Sequence, residues 1–589
     1  MKTLFKLSER IKSVNDFYVF DTETGAKKKQ GKNLVIDWQL EARPEKFIFG
    51  VVYGYNFTKV IHSHKEMVKE FQDSRYKNKI VYAHNFGRYD GSVLFDNVFT
   101  VDPEAIYIGS RFISCTNGIC TFADSLNIYK ASVKEIGAKL GLKKLGMDEG
   151  EYKQSIWPQD KAADINACIR DCQIIWDSLH EIFNECSDIK LTIGSLAMAY
   201  YRRFAQPFHL NSDEFLTKYF FNSYYGGRTE AFKLGNTHAK VIDVNSLYPH
   251  EMKVTVFPNP ESLQHTYNND LKTFQHVMKR FEGCVFCEVF HPEFFIGLLP
   301  YRKDGKLIFP NGTFEGWFNF NELRFAISQG VKVTKVYETV FGEKMPSPFE
   351  TFVDKLYLEK FLANSQGRKL DEWKYKYLLN NLYGKFGQRI DEKTIYIDDV
   401  VNQYKLIREH QDLGTFIKLL AFNSERQDAF LVVKETKKIE ISYSIPSFAS
   451  YITSSGRVTL AKKLIEMKAN KPVYCDTDSI FFEIDNGVES SNVLGEWKVE
   501  NKIVTQINGL KNYRYIDENK IERNRIKGVP SRAIQVAKNR YEFETLIGTK
   551  EGLRRNMEIG VKAKRSKIIS GKYDKRVVLK DGETKPIFI

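Results

Sequence analysis

Short apolar runs alternate with polar ones over the first 185 residues. In "DFYVFDTETG" (16–25), "KFIFGVVYGY" (46–55), "NKIVYAHN" (78–85) and "GICTFADSL" (118–126), β-branched and aromatic residues gather in runs of strand length. "SHKEMVKEFQDS" (63–74) and "DINACIRDCQIIWDSLHEIF" (164–183) instead carry apolar residues at helical spacing. This order predicts a compact α/β domain whose sheet is partly antiparallel. Residues 186–240 are mixed and contain "YYGG", a turn edged with aromatics. A second α/β region starts near 241. Residues 351–389 predict a long helical stretch interrupted near Gly367, residues 390–445 are β-rich and polar, and a further helix is expected over 449–468. Then "KPVYCDTDSIFFEID" (471–485) reads as two short strands with Cys475, Asp476, Thr477 and Asp478 at the bend.

At 589 residues the chain is too long for one core and predicts roughly three to five domains. Hydrophobic content of 42% and charged content of 28% fit a soluble globular protein. No apolar run is long enough for a membrane span, and the N-terminus turns charged within ten residues, unlike a secretory signal. Eight cysteines are too few for a disulfide scaffold. Cys284 and Cys287 form the one CxxC, in a strand-like run, and are expected to be ordinary buried thiols rather than a metal knuckle. The net charge of +14 favours a polyanionic partner. Lys550 to Lys580 holds eleven basic residues against three acidic ones with apolar residues interleaved, which predicts a folded basic wall.

Two groups of carboxylates stand out. Asp21 and Glu23 share one face of a predicted strand, because side chains alternate there. Asn85 and Asp90 follow another strand, Asp124 a third, and Asp171 sits on a predicted helix. Asp21, Glu23, Asp90 and Asp171 outline a site for two divalent ions, the arrangement used to hydrolyse phosphodiesters; read alone, the same residues also fit salt bridges and helix caps. In the second group, Asp243 at a strand end would meet Asp476 and Asp478 from the hairpin, with the carbonyl of Val244 a further oxygen ligand. Such a set suits two Mg²⁺ ions, one at a 3′-hydroxyl and one at a triphosphate. Lys376, Asn380 and Tyr383 share a helix face. Lys376 could take phosphates and Tyr383 support a base, with Gly384 allowing close approach. Leu378, Leu379 and Leu382 anchor the helix. Taken alone this reads first as an ordinary amphipathic helix with a snorkelling lysine. Tyr248, five residues past Asp243, would collide with a 2′-hydroxyl.

These residues resemble the family B DNA polymerases, most closely the protein-primed branch of phages, viruses and linear plasmids. "DVNSLYP" (243–249), "KYLLNNLYG" (376–384) and "YCDTDS" (474–479) are similar to that family's three polymerase motifs, in order. "DTE" (21–23), "NFGRYD" (85–90) and the helix with Asp171 are similar to its exonuclease motifs. "YYGG" (Tyr224, Gly226, Gly227) resembles its template-contacting linker motif, and "KNY" (Lys511, Tyr513) the motif that steadies the primer end. The resemblance implies a ribonuclease-H-like 3′–5′ exonuclease domain followed by a right-hand polymerase with insertions. The implied divisions are 1–185 exonuclease, 186–240 linker, 241–350 first palm part and insertion, 351–389 fingers, 390–445 second insertion, 446–515 second palm part, and 516–589 thumb and basic region.

It implies a DNA-directed DNA polymerase with proofreading, using two Mg²⁺ per site (Mn²⁺ as an alternative). Asp243, Val244 and Asp478 would bind metal with Asp476 nearby, as would Asp21, Glu23 and Asp171. The implied partners are template and primer DNA, dNTPs, a terminal priming protein contacted through 250–350 and 388–445, and a single-stranded DNA-binding protein. The enzyme would be a monomer acting where a virus or plasmid replicates, in the cytoplasm of a bacterial host. Three positions depart from the pattern. Ala167 stands where a tyrosine usually orients water, with Tyr129 a substitute. Asn127 replaces a lysine, with Lys130 nearby, and Asn381 replaces a common serine. The competing reading is a nuclease or nucleic-acid-binding factor whose polymerase half has decayed.

Overall fold

The computed structural model describes residues 1–589 except 10–12, 30–36, 146–160, 269, 391–392, 398–401, 403, 406, 410–416, 423–429, 435–438 and 556. The N-terminal apolar runs form one seven-stranded sheet: β1 (Phe17–Thr24), β2 (Phe47–Gly54), β3 (Phe57–Ile61), β4 (Ile80–Ala83), β5 (Ile106–Ile108), β6 (Arg111–Thr116) and β7 (Thr121–Asp124). The spatial order is β3-β2-β1-β4-β7-β6-β5. β1–β4 and β4–β7 pair in parallel and the rest antiparallel, the mixed sheet the strand spacing predicts. α1 (Ala162–Cys186) lies across one face. Trp176 of α1 stacks on Phe17 at 5.3 Å, and Cys168, Cys172, Leu179 and Phe183 are buried beside it. Apolar positions every three to four residues therefore fix this helix over β1 and β2.

A second seven-stranded sheet comprises β8 (Thr229–Ala231), β9 (Gly235–Val244), β10 (Pro472–Asp476), β11 (Ser479–Phe482), β12 (Trp497–Gly509), β13 (Asn512–Ile516) and β14 (Glu522–Ile526), in the order β8-β10-β11-β9-β12-β13-β14. It runs on past residue 515, where the sequence reads as leaving the palm. The helical stretch is α2 (Glu350–Ser365) and α3 (Lys369–Asn381), broken where Gly367 takes a φ of +70° that other residues rarely adopt. Leu378, Leu379 and Leu382 are buried. α4 (Pro446–Glu466), with proline in its first turn, is buried along most of its length, its Ser450 and Ser454 hydroxyls bonded to Asn319.

Between β9 and α2 lies a four-stranded antiparallel sheet of Gln264–Tyr267, Lys332–Gly342, Glu282–His291 and Gly312–Asn319. Cys284 and Cys287 are buried thiols that pack into two different cores. Strands Lys393–Ile397, Ile417–Phe422 and Phe430–Lys434 form a three-stranded sheet within the second insertion, part of which lies outside the described residues.

Beyond β14, Ile534–Ala537, Arg540–Leu546 and Lys562–Ile568 make another three-stranded sheet, so the basic stretch is folded. The chain then returns to the second large sheet. Arg576 and Arg228 both reach buried Glu230, and Ile589 pairs its backbone with Asn311 and Thr313. Leu553, Ile559 and Tyr396 join the N-terminal domain's core, so C-terminal segment and second insertion both dock there. Among the described residues, no helix is long and apolar enough to cross a membrane.

Candidate active sites

β9 and β11 are neighbours, with Asp243 opposite Ser479, and the Val244 amide donates to the Asp478 carbonyl at 2.9 Å. Residues 235 positions apart thus stand at adjacent strand ends. The tight bend between β10 and β11 needs Thr477 at a φ of +61°, held by its amide on the Arg228 carbonyl at 2.7 Å. Burial, then Asp478 and Glu500, push the Asp243 carboxyl up to about 7, while Lys502 and Lys376 pull it back. Asp478 is pushed up to about 6 by burial and then Asp476, with Lys511 opposing. Crowded carboxylates whose affinity for a proton is raised by burial and by neighbouring acids are equally arranged to accept a divalent cation, and their oxygens are the hard donors Mg²⁺ prefers.

Asp476 is engaged differently. It accepts from Thr229 Oγ1 at 3.0 Å and pairs with Lys511 Nζ at 3.1 Å. Lys511 takes a φ of +50°, its amide bonded to the Tyr474 hydroxyl at 2.9 Å, and Tyr513 packs on Phe481 at 5.1 Å. Across from the carboxylates, Lys376 and Asn380 are exposed and Tyr383 is half-buried, as their shared face predicts. Burial, then Lys376, lowers Lys360, with Lys498 adding to the effect, so these ammonium groups crowd one place. Asn381 spends its side-chain amide on the Tyr377 carbonyl at 2.7 Å.

Tyr248 lies with its ring 4.6 Å from that of Tyr383, and burial raises its hydroxyl. A cavity of about 280 Å³ beside the pair is lined by Tyr224, Gly226, Gly227, Arg302 and Arg389. A Cβ on Gly227 would lie 2.8 Å from the Thr477 side chain and 2.9 Å from the Tyr248 hydroxyl, so glycine is required there. Gly226 and Gly384 face no protein atom within 4 Å. The close approach expected at Gly384 is therefore not made to the protein itself.

In the N-terminal domain, β1 carries Asp21 and Glu23, both half-buried, and α1 brings Asp171 towards them. Asp90 is fully buried; one of its oxygens accepts from the Thr22 amide (3.1 Å) and hydroxyl (2.8 Å), and the other has no hydrogen-bond donor among the described residues. Burial, then Asp171, push Asp21 up to about 6, and burial, then Asp21, raise Glu23 and Asp90. A buried carboxylate oxygen without a donor, beside other carboxylates, fits a cation. Lys144 makes an ion pair with Asp171. Burial opposes its charge, but Asp171, Asp21 and Glu23 together hold the ammonium above its usual range. Asp124 has a structural task, accepting from the amides of Asn85 (3.0 Å), Gly87 (3.3 Å) and Leu126 (3.0 Å). That fastens Asn85, at a φ of +71°, in the turn before Asp90.

The tyrosine expected to replace the one missing at Ala167 is displaced. Tyr129 is buried against Tyr377, and the acids that raise its hydroxyl after burial are Glu181 and Asp371 rather than those of the cluster. Tyr89 is the tyrosine among the carboxylates, bonded to Thr24 at 2.9 Å and raised by burial and then by Glu23.

Phi29 DNA polymerase complexed with primer–template DNA has the same fold, with a TM-score of 0.66 over 94% of this chain and 100% of that one at 16% identity. Residues 147–419 match the family model of DNA polymerase type B, organellar and viral. The DNA-directed DNA polymerase of Enterobacteria phage PRD1 is 26% identical over 436 residues, 72% of this chain and 70% of that protein. The chain is similar to family B DNA polymerases, in sequence to that of phage PRD1 and in fold to that of phi29. A probable DNA polymerase of Podospora anserina is 29% identical over 343 residues, 53% of this chain but only 27% of that protein, so the chain aligns with under a third of this fungal relative's length.

Several residues of the two sites escape a reading of the sequence. Glu500 and Lys502 on β12, and Lys144 and Cys168 in the N-terminal domain, reach the carboxylates only through tertiary packing, which also brings Lys360 of α2 to Lys376.

Proposed function

We propose that this protein is a template-directed DNA polymerase that extends a 3′-hydroxyl with dNMPs and removes misplaced nucleotides 3′ to 5′ at a second centre. The observation that carries the reading is the meeting of Asp243 with Asp478 at adjacent strand ends, with Lys376 close enough to lower Asp243. Asp243, Asp478 and the Val244 carbonyl would hold two Mg²⁺ ions (Mn²⁺ as an alternative), which supply an ionised 3′-oxygen and neutralise a triphosphate when bound. Lys376 and Lys360 hold the phosphates, and Tyr383 and Asn380 receive the nucleotide. Tyr248, packed on Tyr383, fills the space a 2′-hydroxyl would need. Lys511, kept in place by Asp476, and Tyr513 steady the primer end, while Tyr224, Gly226 and Gly227 border the template.

In the exonuclease centre, Asp21, Glu23 and Asp171 would hold cations, with Asp90 completing the anionic set and Asn85 beside the strand end. We assign residues 1–185 to a ribonuclease-H-like exonuclease domain, 186–240 to the linker, 241–350 to palm and first insertion, and 351–389 to the fingers. The second insertion is 390–445, the second palm part runs from 446 to 526 by sheet continuity, and the rest is thumb and basic region. The relation to phage enzymes supports priming by a terminal protein docked on the two insertions, with single-stranded DNA-binding protein as helper.

The test is extension of a labelled primer on a DNA template with Mg²⁺ and either dNTPs or NTPs. The reading expects dNTP-dependent extension and shortening of the primer when dNTPs are withheld. Transfer of a labelled dNMP to a candidate terminal protein without a primer checks the priming step. A protein that degrades DNA but extends nothing would favour the decayed-polymerase reading.

A further inference from the structure

The N-terminal cluster contains an atom that hard-cation chemistry does not call for. Cys168, buried on α1 next to Ala167, places its Sγ 3.6 Å from Asp21 Oδ2. Ligand atoms of Asp21, Glu23 and Cys168 all lie within 4.8 Å of one another, the one such group among the described residues. On a tetrahedral zinc ion with Zn–S of about 2.3 Å and Zn–O of about 2.0 Å, sulfur and oxygen stand about 3.5 Å apart, close to the spacing found. A second observation points to a cation here. Asp90, fully buried one strand residue away through Thr22, keeps one carboxylate oxygen without a hydrogen-bond donor among the described residues, and Asp21 is its strongest charged neighbour. The Asp243–Asp478 centre has no such sulfur–carboxylate group among the described residues.

We propose that Cys168 makes the N-terminal centre a binding site for thiophilic divalent cations, zinc and cadmium in class, with Asp21 and Glu23 as its other ligands. Binding exchanges the thiol proton for a metal–sulfur bond, and the proton leaves to solvent. Thiolate favours these ions strongly over Mg²⁺, so they displace the hard ion from Asp21 and Glu23 and halt degradation while the carboxylate-only centre goes on with synthesis. That consequence rests on the exonuclease reading above; the binding itself does not.

The experiment titrates cadmium into the full-length, metal-stripped protein and follows the ultraviolet thiolate-to-cadmium charge-transfer band. The unmutated protein and Cys172→Ser should show the band at one cadmium per chain, and Cys168→Ser and Cys168→Ala should lose it. With Mg²⁺ present, the zinc concentration that halves DNA degradation should rise at least about tenfold in Cys168→Ser, whatever its rate without zinc. X-ray absorption at the cadmium edge of the unmutated protein should find one sulfur among oxygens, a readout that does not depend on how the variants fold. A sulfur-free shell, no band in the unmutated protein, or a band that survives in both Cys168 variants overturns the proposal. An unmutated protein that binds cadmium through sulfur but degrades no DNA with Mg²⁺ would instead count against the exonuclease reading alone.

Discussion

Asp243 and Asp478 carry carboxyls at about 7 and about 6, and Asp21 one at about 6, all above the ordinary aspartate range near about 3.9. Their folded values are raised, so without cations they stabilise the fold fully below about pH 4 and lose that contribution as pH rises through about 6 to 7. A divalent cation reverses the loss by drawing the carboxylates together. We therefore predict that Mg²⁺ binding releases about one to two protons near pH 6 from Asp243, Asp478 and Asp21 together, read with an indicator dye, and fewer from these three near pH 8.5. The Tm gain from Mg²⁺ should be larger at the higher pH. Proton release that is unchanged in Asp243→Asn and Asp478→Asn would show that other groups are responsible. At this scale the sequence was most legible where an acid interrupts an apolar run, as at Asp21, Asp243 and Asp478, because such placement is costly without a partner. Lys144, Glu500 and Cys168 were not legible, since nothing local distinguishes them from surface or core residues.

Elements carry these side chains to their places, and the bend between β10 and β11 is the most constrained. Thr477 sits at positive φ against Gly227, where a methyl group would also meet the Tyr248 hydroxyl. Gly227→Ala should therefore cost roughly 1–3 kcal/mol, lower the Tm, and reduce synthesis more than degradation, whereas Gly226→Ala, with open space around it, should leave the Tm unchanged. Thermal melts and the two activities on one preparation check both. Most strands and helices were legible from periodicity: "YVFDTETG", "KFIFGVVYGY" and the helix through Trp176 form where their patterns place them. Tyr129 was misjudged because its distance in sequence from the motif says nothing about its direction, which packing on Tyr377 decides.

On the scale of the whole molecule, the chain closes on itself. Its C-terminal segment returns to β8, where Glu230 receives Arg228 Nε at 2.7 Å and Arg576 at 3.4 Å, all three side chains buried. Glu230 lies opposite Cys475, one residue before Asp476. Glu230→Gln would leave two buried guanidiniums without a countercharge, and we predict a loss of roughly 3–5 kcal/mol, visible as a large fall in Tm. An unchanged Tm would mean that this link between the chain's end and the second sheet is dispensable. This closure was not legible in the sequence, because nothing local to Arg228 and Glu230 signals that Arg576, 346 positions past Glu230, will be buried with them.

Single-nucleotide incorporation into a labelled primer–template, measured beside degradation of the same primer by the same preparation, tests the central claim most directly. Asp243→Ala and Asp478→Ala should each abolish incorporation and leave degradation intact, and Asp21→Ala with Glu23→Ala should do the reverse. Incorporation at the unmutated rate in either single variant, or loss of degradation in Asp478→Ala, would contradict two separate centres built on these carboxylates.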